Sequence, residues 1–203
     1  MARDIGEYHA GRVHLADSAI ERRLFGRGAA APEAWLGDAL LRHGLHKFDE
    51  DAPDYALVRA ALSLLPRTDM TLLDIGCGRG RVLLYAGLLG APRVAGIEIL
   101  PSRVALARRA AARHLPDGVM TVLEGDALAL SWPDAEALIA MSPFYPSAWR
   151  RFRARLLAYA AARPVRIIAV AWLRDALAAD RRFALVAQAQ MEWIEIAAFE
   201  LKI

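Results

Sequence analysis

Short apolar segments alternate with longer amphipathic ones over the last two thirds of the chain. The apolar segments have the length of strands, and the amphipathic ones repeat their apolar positions with the spacing of a helix. This alternation is typical of a parallel sheet covered by helices on both faces. It predicts strands at 70–76, 93–99, 119–125, 136–142 and 164–172, with helices at 79–89, 101–115 and 146–162.

The end of the chain departs from this alternation. Two strand-like segments, "RFALVAQAQ" and "EWIEIAAFELKI", follow a short helical turn at 173–179 with no helix between them. Strands joined without a crossover pair in antiparallel fashion. The pattern therefore predicts an α/β fold with a doubly wound, mostly parallel sheet and an antiparallel hairpin at one edge.

The first 66 residues have a different pattern. Two helices are predicted there, at 31–45 and 53–66, and the second has an apolar stripe along one side. Residues 1–30 have weak periodicity and predict no element. We therefore expect an N-terminal helical segment at 1–66, on the substrate side of a main domain at 67–203.

The composition is that of a folded, single-domain protein. Of the 203 residues, 56% are hydrophobic, which is enough for a sizeable core. No apolar run reaches the length of a membrane helix, and the N-terminus lacks the apolar segment of a signal peptide. Cys77 is the single cysteine, which excludes a disulfide framework and a thiolate-rich zinc site and suggests a cytoplasmic location. His43 and His46 are interpreted as surface histidines, so no metal site is expected.

The charge is nearly balanced, with a formal net charge of +3 at pH 7. The densest basic stretch is "WRRFRARLL" at 149–157. It places Trp149, Phe152 and Leu156 on one helical face and its arginines mostly elsewhere. We interpret these arginines as a solvated helix face rather than a strip that binds phosphates.

A glycine-rich turn follows the first predicted strand of the main domain. In "LLDIGCGRG", Gly76, Gly78 and Gly80 stand at alternate positions, directly before a predicted helix. Glycine lets a backbone turn tightly and approach a ligand, and the free amides of the helix N-terminus face that ligand. The spacing from Asp74 onward differs from the dinucleotide fingerprint and from the phosphate-binding P-loop. Cys77 is interpreted as a small loop residue rather than a nucleophile.

Acidic residues stand at or near the ends of the next two predicted strands. Glu98 is near the end of the second strand, where a carboxylate can accept hydrogen bonds from a ribose diol. Asp126 follows the third strand, where it could meet an adenine amino group. The carboxyl ends of parallel strands form the edge at which ligands bind in such sheets. The sequence therefore predicts a nucleoside-containing ligand at this edge.

This ordered set resembles the class I S-adenosylmethionine-dependent methyltransferases over roughly residues 53–203. "LLDIGCGRG", "VAGIEI" and "LEGDAL" are similar to the first three motifs of that family. The resemblance implies a Rossmann-like sheet of seven strands with an antiparallel last strand, and S-adenosyl-L-methionine as the cofactor. It also implies that the glycine loop faces the methionine end of the cofactor, Glu98 the ribose and Asp126 the adenine. The implied cofactor-binding residues are Tyr55, Asp74, Gly76, Cys77, Gly78, Gly80, Glu98, Ile99, Asp126, Ala127 and Ser142.

The fourth strand ends in "MSPFYP", where the family places the residues that face the transferred methyl group. This stretch is similar to the Asn/Asp/Ser-Pro-Pro-Tyr/Phe motif of amino-methyltransferases, with Phe144 in place of the second proline. It also resembles the Asn-Pro-Phe version of seven-strand protein-lysine methyltransferases. The resemblance implies that Ser142 and the carbonyl of Pro143 accept hydrogen bonds from the target nitrogen. Tyr145 would pack on the target, with Phe144 as a further candidate for an aromatic wall, whereas Trp149 is expected to pack in the core or a lid.

The segment that runs into the glycine loop resembles that of the non-SET histone-lysine methyltransferases and their bacterial relatives. In that group, residues before this helix close over the cofactor, and Tyr55 is the candidate here. The sequence therefore predicts methyl transfer to a nitrogen or oxygen acceptor, with a protein lysine or a small molecule favoured over nucleic acid. Two alternatives stay open: an inactive cofactor-binding protein and, disfavoured by the glycine spacing, an NAD-type oxidoreductase.

Overall fold

The computed structural model of the protein describes residues 1–12, 17–25, 54–192 and 194–202. The predicted helix at 31–45, with His43 and His46, lies outside these residues. The strands are β1 (Leu72–Ile75), β2 (Val94–Glu98), β3 (Met120–Glu124), β4 (Ala137–Ala140), β5 (Arg166–Val170), β6 (Phe183–Gln190) and β7 (Glu195–Leu201). The described helices are α1 (Ala2–His9), α2 (Asp17–Phe25), α3 (Tyr55–Ser63), α4 (Arg81–Leu88), α5 (Pro101–His114), α6 (Trp149–Ala162) and α7 (Ala171–Ala179).

The seven strands form one sheet in the order β3-β2-β1-β4-β5-β7-β6. Each neighbouring pair from β3 to β5 is parallel, whereas β7 is antiparallel to both of its neighbours, β5 and β6. The predicted α/β fold, with a mostly parallel seven-strand sheet and an antiparallel last strand, is confirmed. The strand order reverses between β1 and β4, and ligands bind at the carboxyl edge beside such a reversal.

Adjacent residues of the central strands pack on opposite faces of the sheet. In β1, Leu72 belongs to the apolar cluster on one face and Leu73 to the cluster on the other. Helices α1 to α5 contribute to the first cluster, and α6 and α7 contribute to the second. Burial on both faces explains why these strands are continuous apolar runs in the sequence rather than alternating patterns.

The first 25 residues contain two helices that their weak periodicity did not predict. Ile5 of α1 and Ile20 and Leu24 of α2 are at most 1% exposed. These side chains belong to the same apolar cluster as α3 and α4. Helices this short are marginal in isolation, so α1 and α2 depend on this packing rather than on local propensity.

Two element boundaries have clear local causes. Asp54 caps α3, since its Oδ1 accepts a 2.6 Å hydrogen bond from the Leu57 amide. Helix α7 starts directly after β5, at Ala171, and is longer than the predicted turn at 173–179. No described helix combines the length and the apolar character that a membrane span requires.

Helix α6 has the two faces that its sequence predicts. Phe152 and Leu156 are fully buried against the sheet, whereas Arg150 and Arg151 are exposed. Arg153 instead donates a 2.7 Å hydrogen bond to Asp180. The basic stretch is therefore partly a solvated face and partly a structural anchor.

Candidate functional site

The glycine loop leaves β1 at the carboxyl edge of the sheet. Gly76, Gly78 and Gly80 have φ angles of +73°, +55° and +81°, a region that L residues with side chains rarely adopt. A Cβ built on Gly78 would meet no atom within 4 Å. The space beside this glycine is therefore open, as a loop that receives a ligand requires.

The glycine loop contacts the segment that follows β4. A Cβ built on Gly76 would lie only 2.7 Å from the Cβ of Pro143. The side chain is therefore excluded at Gly76 because Pro143 packs against its backbone. The first and fourth sequence motifs adjoin here, where the strand order reverses between β1 and β4.

Glu98, the last residue of β2, is 6% exposed and bonded to the backbone around it. Its Oε2 accepts a 2.9 Å hydrogen bond from the Gly78 amide, and its Oε1 accepts one of 2.9 Å from the Leu100 amide. Burial raises the pKa of Glu98, while these amides and the charge of Arg103 oppose the rise. These contacts hold the carboxyl group in a fixed orientation at the carboxyl edge of the sheet.

Asp74 lies one strand away and is 4% exposed. Burial and the charge of Glu98 raise its pKa from 3.8 to about 8, so the carboxyl group holds a proton at neutral pH. Burial, together with these two carboxyl groups, also raises the pKa of the Cys77 thiol. A thiol in this state is a poor nucleophile.

Cys77 turns its side chain inward, away from the open side of the loop. The Cys77 sulfur occupies the space that a side chain on Gly96 of β2 would need. Its amide donates a 3.1 Å hydrogen bond to the carbonyl of Ile97. Cys77 therefore packs the loop onto β2, and neither its thiol nor its amide is presented to a ligand, contrary to its predicted place among the cofactor-binding residues.

Asp126 stands beside Glu98 at the same edge. The Gly125 amide donates a 2.9 Å hydrogen bond to the backbone carbonyl of Glu98, which joins the ends of β2 and β3. The Oδ1 of Asp126 accepts a 2.7 Å hydrogen bond from the Leu128 amide, and the carboxyl group is half-buried. Ala127 is buried and Ile99 is half-buried, and both pack in the apolar cluster under this edge.

Ser142 and Ala171 are the two non-glycine residues with positive φ in the described part of the chain, at 53° and 49°. They follow β4 and β5, which are paired through Ala140 and Ala169. Ser142 also donates a 3.1 Å hydrogen bond from its Oγ to the carbonyl of Val170. Left-handed backbone at such residues costs about 1–2 kcal/mol each and concentrates at functional sites. No sequence signal indicated this strained pair.

The aromatic residues after β4 divide between the core and the site. Tyr145 is half-exposed at the edge, as a residue that packs on an acceptor must be. Phe144 is 3% exposed, and its ring lies 5.3 Å from that of Phe152 in α6. Trp149 packs against the same ring at 6.4 Å. The expectation that Phe144 forms part of a wall is therefore wrong, because its side chain fills the core.

Tyr55 is enclosed beside the first turn of α4, where the guanidinium group of Arg81 lies 5.6 Å from the centre of its ring. It is 1% exposed, its hydroxyl group donates a 2.8 Å hydrogen bond to Glu21 of α2, and its ring stacks on Tyr85 at 6.3 Å. The predicted closure of Tyr55 over a cofactor has no counterpart in this arrangement, because the residue is already enclosed by the N-terminal helices. The proposed cofactor site therefore does not include Tyr55.

Residues 72–164 match a family model described as a methyltransferase domain. Together with the strand order, this match supports the Rossmann-like fold of the class I S-adenosylmethionine-dependent methyltransferases. The predicted fold is thus confirmed, and the match supports S-adenosylmethionine as the cofactor. A comparison with curated protein sequences found no match.

Solved structures with the same fold include methyltransferases that act on RNA and on a ribosomal protein. An RNA methyltransferase from Salinibacter ruber, in complex with S-adenosyl-L-homocysteine, is 20% identical, with 72% of this chain and 91% of that chain covered and a TM-score of 0.57. The tRNA methyltransferase TrmK of B. subtilis is 19% identical, with coverage of 71% and 65% and a TM-score of 0.55. The ribosomal protein L11 methylase of Lactobacillus delbrueckii is 16% identical, with coverage of 75% and 81% and a TM-score of 0.58. These similarities establish the fold. Two of the three proteins are RNA or tRNA methyltransferases, so the comparison supports neither the predicted likeness to histone-lysine methyltransferases nor the predicted preference for a protein or small-molecule acceptor.

Proposed function

We propose that this protein is an S-adenosylmethionine-dependent methyltransferase that transfers the methyl group to a nitrogen or oxygen acceptor. The observation that carries the proposal is the contact between Gly76 and Pro143. It joins the loop suited to a cofactor with the segment suited to an acceptor, at the carboxyl edge beside the reversal of strand order. A transfer reaction needs its two reactants side by side.

The residues at this edge fit the cofactor. The open space beside Gly78 suits its methionine end, because no Cβ occupies it. The oriented carboxyl group of Glu98 suits the ribose hydroxyl groups, and Asp126 suits the adenine amino group. Glu98 is already oriented by two backbone amides, so little ordering is needed when a ligand binds.

The cofactor, when bound, supplies a methyl group already activated on a sulfonium sulfur. The acceptor would take this methyl group on its lone pair, the electrons of the carbon–sulfur bond would stay on sulfur, and the acceptor would release its proton to water. The protein therefore has to align the acceptor and exclude water rather than supply a covalent intermediate. The inward, protonated Cys77 is consistent with this direct route.

Ser142 and Tyr145 are proposed to align the acceptor. The Ser142 hydroxyl group donates its hydrogen bond to the carbonyl of Val170. Its oxygen lone pairs can therefore accept a hydrogen bond from the N–H or O–H group that is to be methylated. The carbonyl of Pro143 can accept a second hydrogen bond. The half-exposed ring of Tyr145 provides a flat surface beside them, and such rings also favour a nearby cation.

The altered fourth motif supports an amine or hydroxyl group of a protein or small molecule as the acceptor. The similar motif of amino-methyltransferases has a second proline before its aromatic residue, whereas this chain has Phe144 there, with its side chain buried in the core. The acceptor is therefore proposed to be a smaller, less planar group, with a lysine side chain as one example.

A labelled transfer assay tests the proposal. The purified protein and methyl-labelled S-adenosylmethionine are incubated with a cell lysate, which is then separated into protein, RNA and small-molecule fractions, with Tyr145→Ala as the control enzyme. Label in the protein or small-molecule fraction that depends on Tyr145 supports the proposal. Label in RNA overturns the choice of acceptor, and binding of S-adenosylhomocysteine without any transfer overturns the activity. Binding of NADH instead overturns the cofactor.

A further inference from the structure

Glu21 of helix α2 contacts three groups that belong to three other parts of the chain. Its Oε2 accepts hydrogen bonds of 2.8 Å from the Tyr55 hydroxyl group and 2.9 Å from Nε of Arg81. Its Oε1 lies 3.7 Å from a guanidinium nitrogen of Arg79, an ion-pair distance. Arg79 stands between Gly78 and Gly80, inside the glycine loop, and Arg81 is the first residue of α4.

This cluster is largely withdrawn from solvent. The side chains of Glu21 and Arg81 are 21% exposed and that of Arg79 is 13% exposed. Ion pairs in such surroundings are screened less by water and salt than pairs on the surface. Oε1 of Glu21 is buried and has no hydrogen-bond partner among the described residues, so the charge of Arg79 is its main compensation there.

Other residues of α2 hold this helix in place. Ile20 and Leu24 are at most 1% exposed in the core. The backbone carbonyl of Leu24 also lies 3.0 Å from Nε2 of His114 in α5. Because packing fixes the helix, Glu21 is a fixed point to which the glycine loop is attached.

The glycine loop needs such an attachment. Its three glycines adopt positive φ angles, and glycine loses more conformational freedom on ordering than any other residue. Restraining Arg79 restrains the backbone of Gly78 and Gly80 on either side of it. A loop already ordered in the free protein loses less entropy when a ligand binds.

We propose that Glu21 is a positioning residue for the cofactor loop. By holding Arg79 and Arg81, it keeps the loop in the conformation that receives the methionine end of the cofactor. The inference rests on the proposed function of this loop. It assigns the N-terminal helix α2 a part in cofactor affinity, although α2 contributes none of the residues proposed to contact the cofactor.

The test compares Glu21→Gln with Asp4→Asn in the full chain. Glu21→Gln keeps the shape of the side chain and removes its charge. Asp4→Asn is the matched control. Asp4 of α1 forms a 2.8 Å ion pair with Arg23, which belongs to α2 as Glu21 does, and this pair does not involve the glycine loop. Affinities for S-adenosylhomocysteine and for methylthioadenosine, which lacks the amino-acid portion, are measured by calorimetry.

Glu21→Gln is expected to weaken S-adenosylhomocysteine binding about fivefold or more, while methylthioadenosine binding stays within about twofold of the wild type. Asp4→Asn should change neither. A purely structural role for Glu21 would lower both affinities together, and unchanged binding of both ligands would also overturn the proposal. If the wild type binds neither ligand, the proposed function fails rather than this inference alone.

Arg79→Gln provides a second route to the same conclusion if Glu21→Gln folds poorly. It removes the loop partner of Glu21 and leaves the contact between Glu21 and Tyr55 in place. The same selective loss of S-adenosylhomocysteine binding is expected. Where both variants fold, the loss of S-adenosylhomocysteine affinity in the double variant should be smaller than the sum of the two single losses, since both changes break the ion pair between Glu21 and Arg79. Additive losses would contradict the proposed link.

Discussion

The amide of Gly78 donates a 2.9 Å hydrogen bond to Oε2 of Glu98, which ties the glycine loop after β1 to the end of β2. The other oxygen of the same carboxylate accepts the amide of Leu100 at the start of α5. Glu98 thus joins two adjacent loops at the carboxyl edge of the sheet. One side chain therefore serves both the local structure and, in the proposed function, the ribose of the cofactor.

The first prediction concerns Glu98→Gln. The two oxygens of Glu98 accept hydrogen bonds from the amides of Gly78 and Leu100. A glutamine side chain has only one oxygen, so one of these two amides would face an NH₂ group and lose its hydrogen bond. We expect a loss of S-adenosylhomocysteine affinity of about 1.5–3 kcal/mol, the range for hydrogen bonds to charged groups, and a lower free energy of unfolding. Calorimetric titration and urea denaturation measure the two effects. Glu124→Gln is the matched control, because Glu124 pairs with Glu98 in the sheet register but is exposed.

Unchanged affinity in Glu98→Gln would remove this residue from the cofactor site. An equal loss of affinity in Glu124→Gln would instead indicate a general effect of charge at this edge.

The second prediction separates the conformation of Gly78 from its place in the site. Gly78→Ala and Gly118→Ala each add a Cβ at positive φ, +55° and +83°, with no atom within 4 Å. Both should lower the free energy of unfolding by about 1–2 kcal/mol, because an L residue is strained there. Gly78→Ala alone should also weaken S-adenosylhomocysteine binding, because Gly118 lies in the turn before β3, at the opposite edge. Equal affinities of the two variants would contradict the proposed position of the loop.

The third prediction concerns chemistry at Tyr145. Replacing Tyr145 with Ala removes the half-exposed ring beside Ser142 and should reduce turnover about tenfold or more, which corresponds to about 1.4 kcal/mol of transition-state stabilisation. Affinity for S-adenosylhomocysteine should change much less, since the proposed ribose and adenine contacts lie elsewhere. Tyr145→Phe keeps the ring and should retain most of the activity. If Tyr145→Ala lowers only the melting temperature, with turnover per folded molecule unchanged, the segment after β4 is simply a rigid turn.

The fourth prediction concerns the pH dependence of stability. The buried carboxyl group of Asp74 has its pKa raised to about 8, so between about pH 4 and pH 8 it binds a proton in the folded protein and not in the unfolded chain. Its contribution to stability is therefore greatest at low pH and is lost as the pH rises through the folded pKa. Asp74→Asn is neutral at every pH. It should reduce the slope of the free energy of unfolding against pH by up to about 1.4 kcal/mol per pH unit. Urea denaturation of the ligand-free proteins across this range measures it, and parallel profiles for wild type and variant would contradict the buried, protonated state of Asp74.

The sequence by itself determined the succession of elements and the order of the site motifs. Helical and strand periodicities are local properties, so the strands from β1 to β7 and the helices between them could be located within a few residues. The glycine turn after β1 and the acidic residue near the end of β2 are likewise local signals. The carboxyl ends of parallel strands lie at the same edge of the sheet, so the sequence also indicated that these motifs meet there.

Only the tertiary structure decided what each of these side chains contacts. Burial separates Tyr145, at the edge, from its neighbour Phe144, in the core, although the two are adjacent in one motif. The left-handed backbone of Ser142 and Ala171 and the reach of Glu21 to the glycine loop likewise have no local signature. Contacts of this kind depend on how elements distant in the chain pack together, which neither the periodicity nor the spacing of residues encodes.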